Sequence, residues 1–516
     1  RAEPAPPRPG LLSRFGAFAW GPPVQGNRAT ITHRRNYAAA QLSRLTEGWT
    51  TTSLSANTAI HGSLDALRAR SRQLVQDNDY AKRYLQLVAT NVAGPNGFAY
   101  QARVYQEGGK VPDSAANDAL EAAFDKWAAK GVCDITGRMS LRDVCHLLAK
   151  AAARDGEFLV RIVRGSSAGN PFGLALQVLD VDRIDTSLNR TANTAQTAVR
   201  MGIELNEWGR PIAVHLKTRH PGESYHLTSQ DTATGSLRIP AEDIIHGFVV
   251  ERPEQVRGVP WMHASMLRLN NLGGYEEAAI VASRVGASKM GFFTSEEGTK
   301  EALADGTDAA TGELIKDADP GTFDLLPPGT SFQAFDPDYP TAMFADFVKA
   351  NLRGIASGLG ISYHSLANDL EGVSFSSIRS GTLEERDAWM VVQGWFIESF
   401  LEPVFTEWLR NALALGLVSL PGGKSLPVSK LDKFSRHAFI GRRWEWVDPL
   451  RDIQADITAM DAGLKAPQDI TARMGEDYED TLVKLKAAQE LRTKLGIEPK
   501  PAPALPGKPN ATEPTP

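Results

Sequence analysis

The chain has 516 residues, with 56 Lys and Arg against 61 Asp and Glu, a formal net charge of −5, 42% hydrophobic residues and two cysteines. That size and apolar content allow a sizeable core spread over about three to four domains, while the acidic balance argues against tight binding along an extended duplex surface, though it is also ordinary for a soluble protein. Cys133 and Cys145 exclude a disulfide framework and fit a reducing compartment, a single bridge staying open; no apolar run reaches the about 20 residues of a membrane span.

Residues 1–30 carry Pro4, Pro6, Pro7 and Pro9, and Arg1, Arg8, Arg14 and Arg28 against Glu3. This basic arm is expected to be flexible or draped on a neighbour. Its start has no apolar signal-peptide core, and the missing initiator methionine leaves processing or an omitted start open. A helical region is predicted over residues 64–92, stopped by Gly94-Pro95. Two further helices fit residues 115–130 and 141–154. Strands follow at 157–163 and 174–181, around a loop with Gly165 and Gly169 that reads as a hairpin turn. Residues 201–205, 212–216 and 244–250 are expected to continue that sheet.

Residues 263–290 read as one helix, about 40 Å long, ended by Gly291. Residues 294–339 are rich in Gly, Asp, Thr and Pro. Residues 342–359 read as a second helix, because Phe344, Val348, Leu352, Ile355 and Leu359 form a 3.6-period stripe. Lys349 and Arg353 lie off that stripe on one face. Helical phase alone leaves open whether they line a passage, are solvated, or pair with a neighbouring subunit. The loop over residues 360–377 holds Asn368, Asp369, Glu371 and Ser374, which read by themselves as a polar surface. A third long helix carries Trp389, Val392, Phe396, Phe400, Val404, Trp408 and Leu413, a stripe that reads as subunit packing. Pro403 lies within it and is predicted to kink it, having no amide donor. After Pro421-Gly422-Gly423, residues 439–447 read as a strand and Asp448 as the N-cap before Pro449. Helices then run to residue 495, with Gly463 and Gly496 as C-caps. The proline-rich residues 499–516 are expected to be disordered. Long striped helices joined by a polar excursion suit an assembly of many copies better than a compact enzyme.

One enzyme pattern matches. Gly165-Ser166-Ser167-Ala168-Gly169 satisfies the nucleophile-elbow spacing, so a serine hydrolase using Ser167 is the alternative reading. The elbow needs a helix after the serine, whereas Asn170-Pro171-Phe172-Gly173 and a second strand follow; an ordinary hairpin loop fits better. Gly21 and Gly26 have phosphate-loop spacing but are followed by Asn27-Arg28, and Gly423-Lys424-Ser425 lacks its first glycine, Val418 standing there. Neither makes an amide cradle with a lysine, which disfavours an ATPase. Cys133, Cys145 and His146 lack paired ligand spacing and read as buried thiols and a helix histidine, not zinc ligands. Asn510-Ala511-Thr512 is only formally a glycosylation sequon.

Six separated pieces carry a family resemblance. They are Leu67-Arg68-Ala69-Arg70-Ser71-Arg72, leading to Asp77-Asn78 and Tyr80-Ala81-Lys82-Arg83; Asn91-Val92-Ala93-Gly94; Arg154-Asp155-Gly156-Glu157, with Leu179-Asp180-Val181-Asp182-Arg183-Ile184; the run from Glu251-Arg252-Pro253 through Val256-Arg257-Gly258 to Trp261; Ser374-Phe375-Ser376-Ser377-Ile378-Arg379; and Trp444-Glu445-Trp446-Val447-Asp448-Pro449. In this order and spacing, over about residues 30–495, the chain resembles the lambda family of phage portal proteins. Val373-Ser374-Phe375 departs from the asparagine–tyrosine pair of that pattern.

The resemblance implies an α+β, multi-domain, portal-type fold that assembles as a ring of twelve copies. It implies a wing over residues 31–262, a first stem helix at 263–290, a clip at 291–340, and a second stem helix at 341–359. A tunnel loop at 360–377, a kinked helix and wing return at 378–447, and a crown at 448–498 complete it. It places Lys349, Arg353, Asn368, Asp369, Glu371 and Ser374 along a channel for double-stranded DNA, held weakly and without sequence preference. The implied partners are a terminase motor, head-completion or adaptor proteins and the major capsid protein. The implied location is the virion of a tailed phage or prophage, with the host cytoplasm during assembly. No membrane, cofactor, metal or catalytic residue is implied.

Overall fold

The computed structural model describes residues 44, 47–107, 109, 111–193, 196–223, 235–287, 291–295, 306–307, 314–315, 330–334, 343–371, 375–444, 449–474 and 478–496. Residues Arg1–Ser55 and Ala56–Pro516 are separate compact units, and the elements below belong to the second. The expected arm at 1–30, most of 291–340, and the tail at 499–516 lie outside the described residues.

The chain opens with helices α1 (Ala56–His61), α2 (Leu64–Asp77) and α3 (Asp79–Val88), closed by a π turn at Ala89–Ala93. Strand β1 (Ala99–Ala102) leads to α4 (Ser114–Ala128) and α5 (Leu141–Asp155). Then come β2 (Glu157–Arg164), β3 (Leu174–Leu179), β4 (Ala198–Arg200), β5 (Ile203–Leu205), β6 (Pro211–Lys217), β7 (Ser236–Pro240) and β8 (Ile244–Phe248). Helix α6 (Met266–Ala287) is followed by β9 (Gly291–Ser295), β10 (Gly306–Thr307), β11 (Leu314–Ile315) and β12 (Thr330–Ala334), of which β9 pairs with β12 and β10 with β11. Helices α7 (Phe344–Leu359), α8 (Tyr363–Ala367), α9 (Phe375–Phe396) and α10 (Glu402–Ala414) follow. Last are α11 (Leu431–Phe434), β13 (His437–Ile440), α12 (Pro449–Asp461), α13 (Pro467–Met474) and α14 (Tyr478–Lys494). Among the described residues no helix is long and apolar enough to cross a membrane.

Strand β2 is the wall between two cores. It pairs antiparallel with β3 on one edge and β8 on the other. Alternate side chains of a strand point to opposite faces. Phe158, Val160 and Ile162 therefore enter the larger core, with α3–α6, α7, α9 and α10, while Leu159 enters a smaller one with Val181, Ile203, Val214 and Ile239. The larger core is aromatic at its centre: Trp127 and Trp408 are fully buried, and Trp127 donates through Nε1 to the Leu174 carbonyl at 2.9 Å.

The stripe of Trp389, Phe396, Phe400, Val404, Trp408 and Leu413, expected as subunit packing, is instead buried in this chain's own core, and other features refine the sequence expectations. The helical region expected at 64–92 is present and is divided at Asn78. Asn78 is extended, and its side chain accepts from the Ala81 amide at 3.0 Å, so it ends α2 and caps α3. Residues 201–205 and 212–216 do not extend the first sheet. They form a separate four-stranded meander, β4-β5-β6-β7, that packs over the smaller core. At Pro403 the helix continues through an irregular turn. The turn at Ile397–Leu401 widens to π geometry, with the Glu402 amide bonded to the Ile397 carbonyl, directly before Pro403 near the start of α10. The strand expected at 439–447 is Ala99–Ala102's partner at His437–Ile440, and Gly463 and Gly496 take the positive φ of helix stops.

Candidate functional site

Helices α6 and α7 lie side by side. Ser265 Oγ donates to the Ile355 carbonyl at 3.2 Å. A Cβ at Gly358 would come 2.3 Å from Ser265 Oγ, and one at Gly354 only 1.8 Å from Arg268 Nη1. Those glycines let the Arg268 head rest on bare α7 backbone. Lys349 and Arg353 stand on another edge of α7. The structure brings them together with a residue that sequence reasoning did not single out, Tyr363 at the start of α8. Lys349 Nζ is 5.9 Å and Arg353 Cζ 5.7 Å from its ring centroid, within cation–π range.

Asp369 joins the same cluster. It accepts from the Tyr363 hydroxyl at 2.7 Å and lies 3.4 Å from Lys349 Nζ. The Tyr363 bond, then the Glu371 amide bond and Lys349, hold its carboxyl at about 2. Burial, then Asp369, pushes the Tyr363 hydroxyl up to about 12. The Lys349 charge is thus partly answered inside the chain, whereas Arg353 is exposed with no carboxylate partner among the described residues. Asn368 is the left-handed C-cap of α8, with φ 53. Glu371 is exposed, its amide bonded to Asp369 Oδ1 at 2.9 Å. Ser374 lies outside the described residues.

The first part of the 360–377 loop is built, not open. Ser362 caps α8 by accepting from the Ser365 amide at 3.2 Å. Glu385 of α9 accepts from Ser365 Oγ at 2.8 Å and from the Ser362 amide at 3.2 Å. Arg83 of α3 donates to the Ser365 carbonyl at 3.2 Å, and Leu366 is buried. Asn368, Leu370 and Glu371 are exposed, while Asp369 is half-buried against Tyr363 and Lys349. The Ser362–Ser365 spacing is an N-cap signal that was readable in the sequence; the tertiary anchors Arg83 and Glu385 were not.

Three of the six resembling segments, those of Arg68 and Arg72, of Asp155, Glu157, Asp180 and Asp182, and of Arg257, meet in one ion network. Glu157 and Arg257 are fully buried and Arg68 is 2% exposed. Arg257 donates to Glu157 Oε1 from Nη2 at 2.5 Å and from Nε at 2.9 Å. Arg68 donates to the same oxygen. His246 Nε2 lies 2.9 Å and the Gly258 amide 2.8 Å from Oε2. Burial alone would raise the Glu157 pKa, but Arg257, Arg68 and His246 outweigh it and hold the carboxyl well below its ordinary range. Gly156 and Gly258 make this approach possible, since a Cβ at Gly258 would sit 2.1 Å from the Gly156 carbonyl oxygen. At the mouth of the network Arg72 donates to Asp155 at 2.7 Å, to Asp180 at 3.0 Å and to Asp182. Asp180 and Asp182 also stand with His220 close enough to ligate a cation, but Arg72 already supplies their positive charge.

The hydrolase alternative has no support in this geometry. Gly165–Ala168 is a 3-10 turn, Ser167 is exposed, and strand β3 follows. Cys133 and Cys145 are free and buried, burial pushing the Cys133 thiol up to about 12, and His146 Nε2 bonds the Gly94 carbonyl at 2.6 Å.

A buried ion network and a cationic helix edge, with no nucleophile elbow, fit a structural subunit better than the hydrolase. The comparisons give the class its name: residues 42–393 match the family described as phage portal protein, lambda family. The chain is 35% identical over 499 residues to a probable portal protein of Halomonas phage phiHAP-1, covering 95% of this chain and 94% of that one. It is 22% identical to a portal protein of Escherichia phage N15, over 88% of this chain and 89% of that one. Among solved structures, a chain in the neck of an empty gene transfer agent particle aligns with a TM-score of 0.40 and 14% identity, over 79% of this chain and 93% of that one. The chain belongs to the lambda family of phage portal proteins, structural components of the virion's head-tail connector and not enzymes.

Proposed function

We propose that the protein forms a closed, twelve-copy ring whose channel passes double-stranded DNA during packaging and ejection, with Arg353 and Lys349 on the channel wall. The observation that carries this is the Lys349–Arg353–Tyr363 cluster beside the exposed Asn368, Leu370 and Glu371, in a chain of this family. Asp369 tempers Lys349, so the edge guides phosphate without gripping it. Weak attraction suits a strand that must slide, because each neutralised phosphate adds to a salt-dependent grip. We assign residues 31–262 to the wing, 263–290 and 341–359 to the stem, 291–340 to the clip, 360–377 to the tunnel loop, 378–447 to the wing return and 448–498 to the crown. Asn368, Asp369, Glu371 and Ser374 take the tunnel-loop position. A terminase motor, head-completion proteins and the major capsid protein are the partners this role requires.

Negative-stain imaging and native mass of the purified chain test the ring. Rings with a central channel are expected; monomer alone across a wide range of concentration and salt would overturn the reading.

A further inference from the structure

Two exposed helix faces of this chain are chemically complementary. The first is a groove of about 590 Å³ between α6 and α7, lined by Leu267, Arg268, Tyr275, Phe347, Asn351 and Gly354 among others. Leu267 is 74% and Phe347 50% exposed. No carboxylate lines the groove, and Arg268 has no acidic partner among the described residues. Its guanidinium lies over Gly354, where any side chain would displace it.

The second is the outward stripe of α9. Leu383, Glu384, Asp387, Met390 and Val391 fall at the i, i+3/i+4, i+7 spacing of one helix face. Val391 is 74% and Leu383 45% exposed, and Glu384 and Asp387 are exposed too. One face is apolar and basic, the other apolar and acidic. A chain with two different complementary faces makes head-to-tail contacts, and those close into a ring when the rotation allows.

We propose that the α9 stripe of one copy seats in the α6–α7 groove of the next, with Glu384 and Asp387 meeting Arg268, and Val391 and Leu383 covering Leu267 and Phe347. This rests on the ring reading and names the surface that builds it. Opposite charges at the rim set register and reject the wrong face, while the apolar residues supply the buried area.

The test uses the full chain in three variants: Arg268→Glu, the pair Glu384→Arg with Asp387→Arg, and all three together. Each reversal alone is expected to lower the ring fraction in native mass spectrometry by at least about tenfold, and the triple variant to restore it. Thermal melts matching the parent show that the folds are intact. A second arm places Leu267→Cys and Val391→Cys in one chain, whose own cysteines are buried. Oxidation is expected to give a ladder of covalent oligomers, and neither single cysteine variant should cross-link. Parent rings with no ladder, or rings unaffected by the single reversals, overturn this contact while the ring reading stands. A parent that never forms rings overturns both. Dimers from a single cysteine variant would show a self-paired face and also overturn the contact.

Discussion

Replacing Glu157 by glutamine removes one charge and almost no volume, and it should be among the most damaging conservative changes in the chain. Arg257 and Arg68 would be left buried without their carboxylate, Arg257 keeping the Met201 carbonyl at 2.9 Å and Arg68 keeping Asp182 at 3.3 Å. The amide also cannot satisfy the site. Donors face both Glu157 oxygens, Arg257 and Arg68 at one, His246 and Gly258 at the other. Either orientation of the glutamine therefore points an NH2 group at an N–H donor. Breaking a buried pair from one side costs about 3–5 kcal/mol, against a total of about 5–15 kcal/mol for a typical fold. Urea denaturation at pH 7 reads the loss, with Asp180→Asn as a control, since that partly exposed pair should be worth about 0–1 kcal/mol. The pH dependence follows from the lowered pKa. Glu157 contributes its full stabilisation above its ordinary value of 4.5 and loses it as pH falls from there through the folded value. The gap between parent and variant should thus be constant near neutrality and narrow in acid. A cost below about 1 kcal/mol at pH 7, or a gap that persists unchanged in acid, would refute the reasoning.

Ser167→Ala should leave stability and assembly unchanged, and neither chain should hydrolyse esters; turnover that disappears in the variant would reverse the assignment. Arg353→Glu should weaken salt-sensitive DNA retention in assembled rings without changing the ring fraction, read by filter binding across a salt series; unchanged retention would move the channel edge elsewhere. Deleting residues 368–372 should spare assembly, because the loop is anchored before them at Ser362, Ser365 and Leu366 and Asn368, Leu370 and Glu371 are exposed, while lowering DNA packaging or retention. A deleted ring that packages and holds a full genome would make the segment a connector. Ser362→Ala should cost about 1 kcal/mol through the lost cap, measured by thermal melting.

Most helices were legible because their apolar stripes are long: α4, α5, α7 and the α9–α10 run lie close to their expected spans. What the sequence hid was competition between local and tertiary demands. Asn78 sits in a continuous stripe, and only the folded backbone shows its side chain taking the capping bond. Pro403 announces a disruption, but the sequence does not show that it takes the form of a π turn at Ile397–Leu401, beside the buried Phe396 and Phe400. The partition of strands into two sheets is a matter of which strand pairs with which, and hydrophobic alternation does not encode the partner.

At the site the same logic separates what was visible from what was not. Lys349 and Arg353 share a helix face by spacing alone, but Tyr363 and Asp369 reach them only because Ser362 turns the chain back at the end of α7. Three of the segments that carry the family resemblance lie far apart in sequence, and their meaning is physical. Arg68, Glu157, Asp182 and Arg257 are members of one buried network, so each charge is tolerable only if the others are present. A network of that kind fixes the relation of α2, β2 and the loop after β8 more sharply than apolar packing, which tolerates substitution of similar volume. In the proposed ring, such an internal frame would keep a small error at one contact from accumulating around the circle.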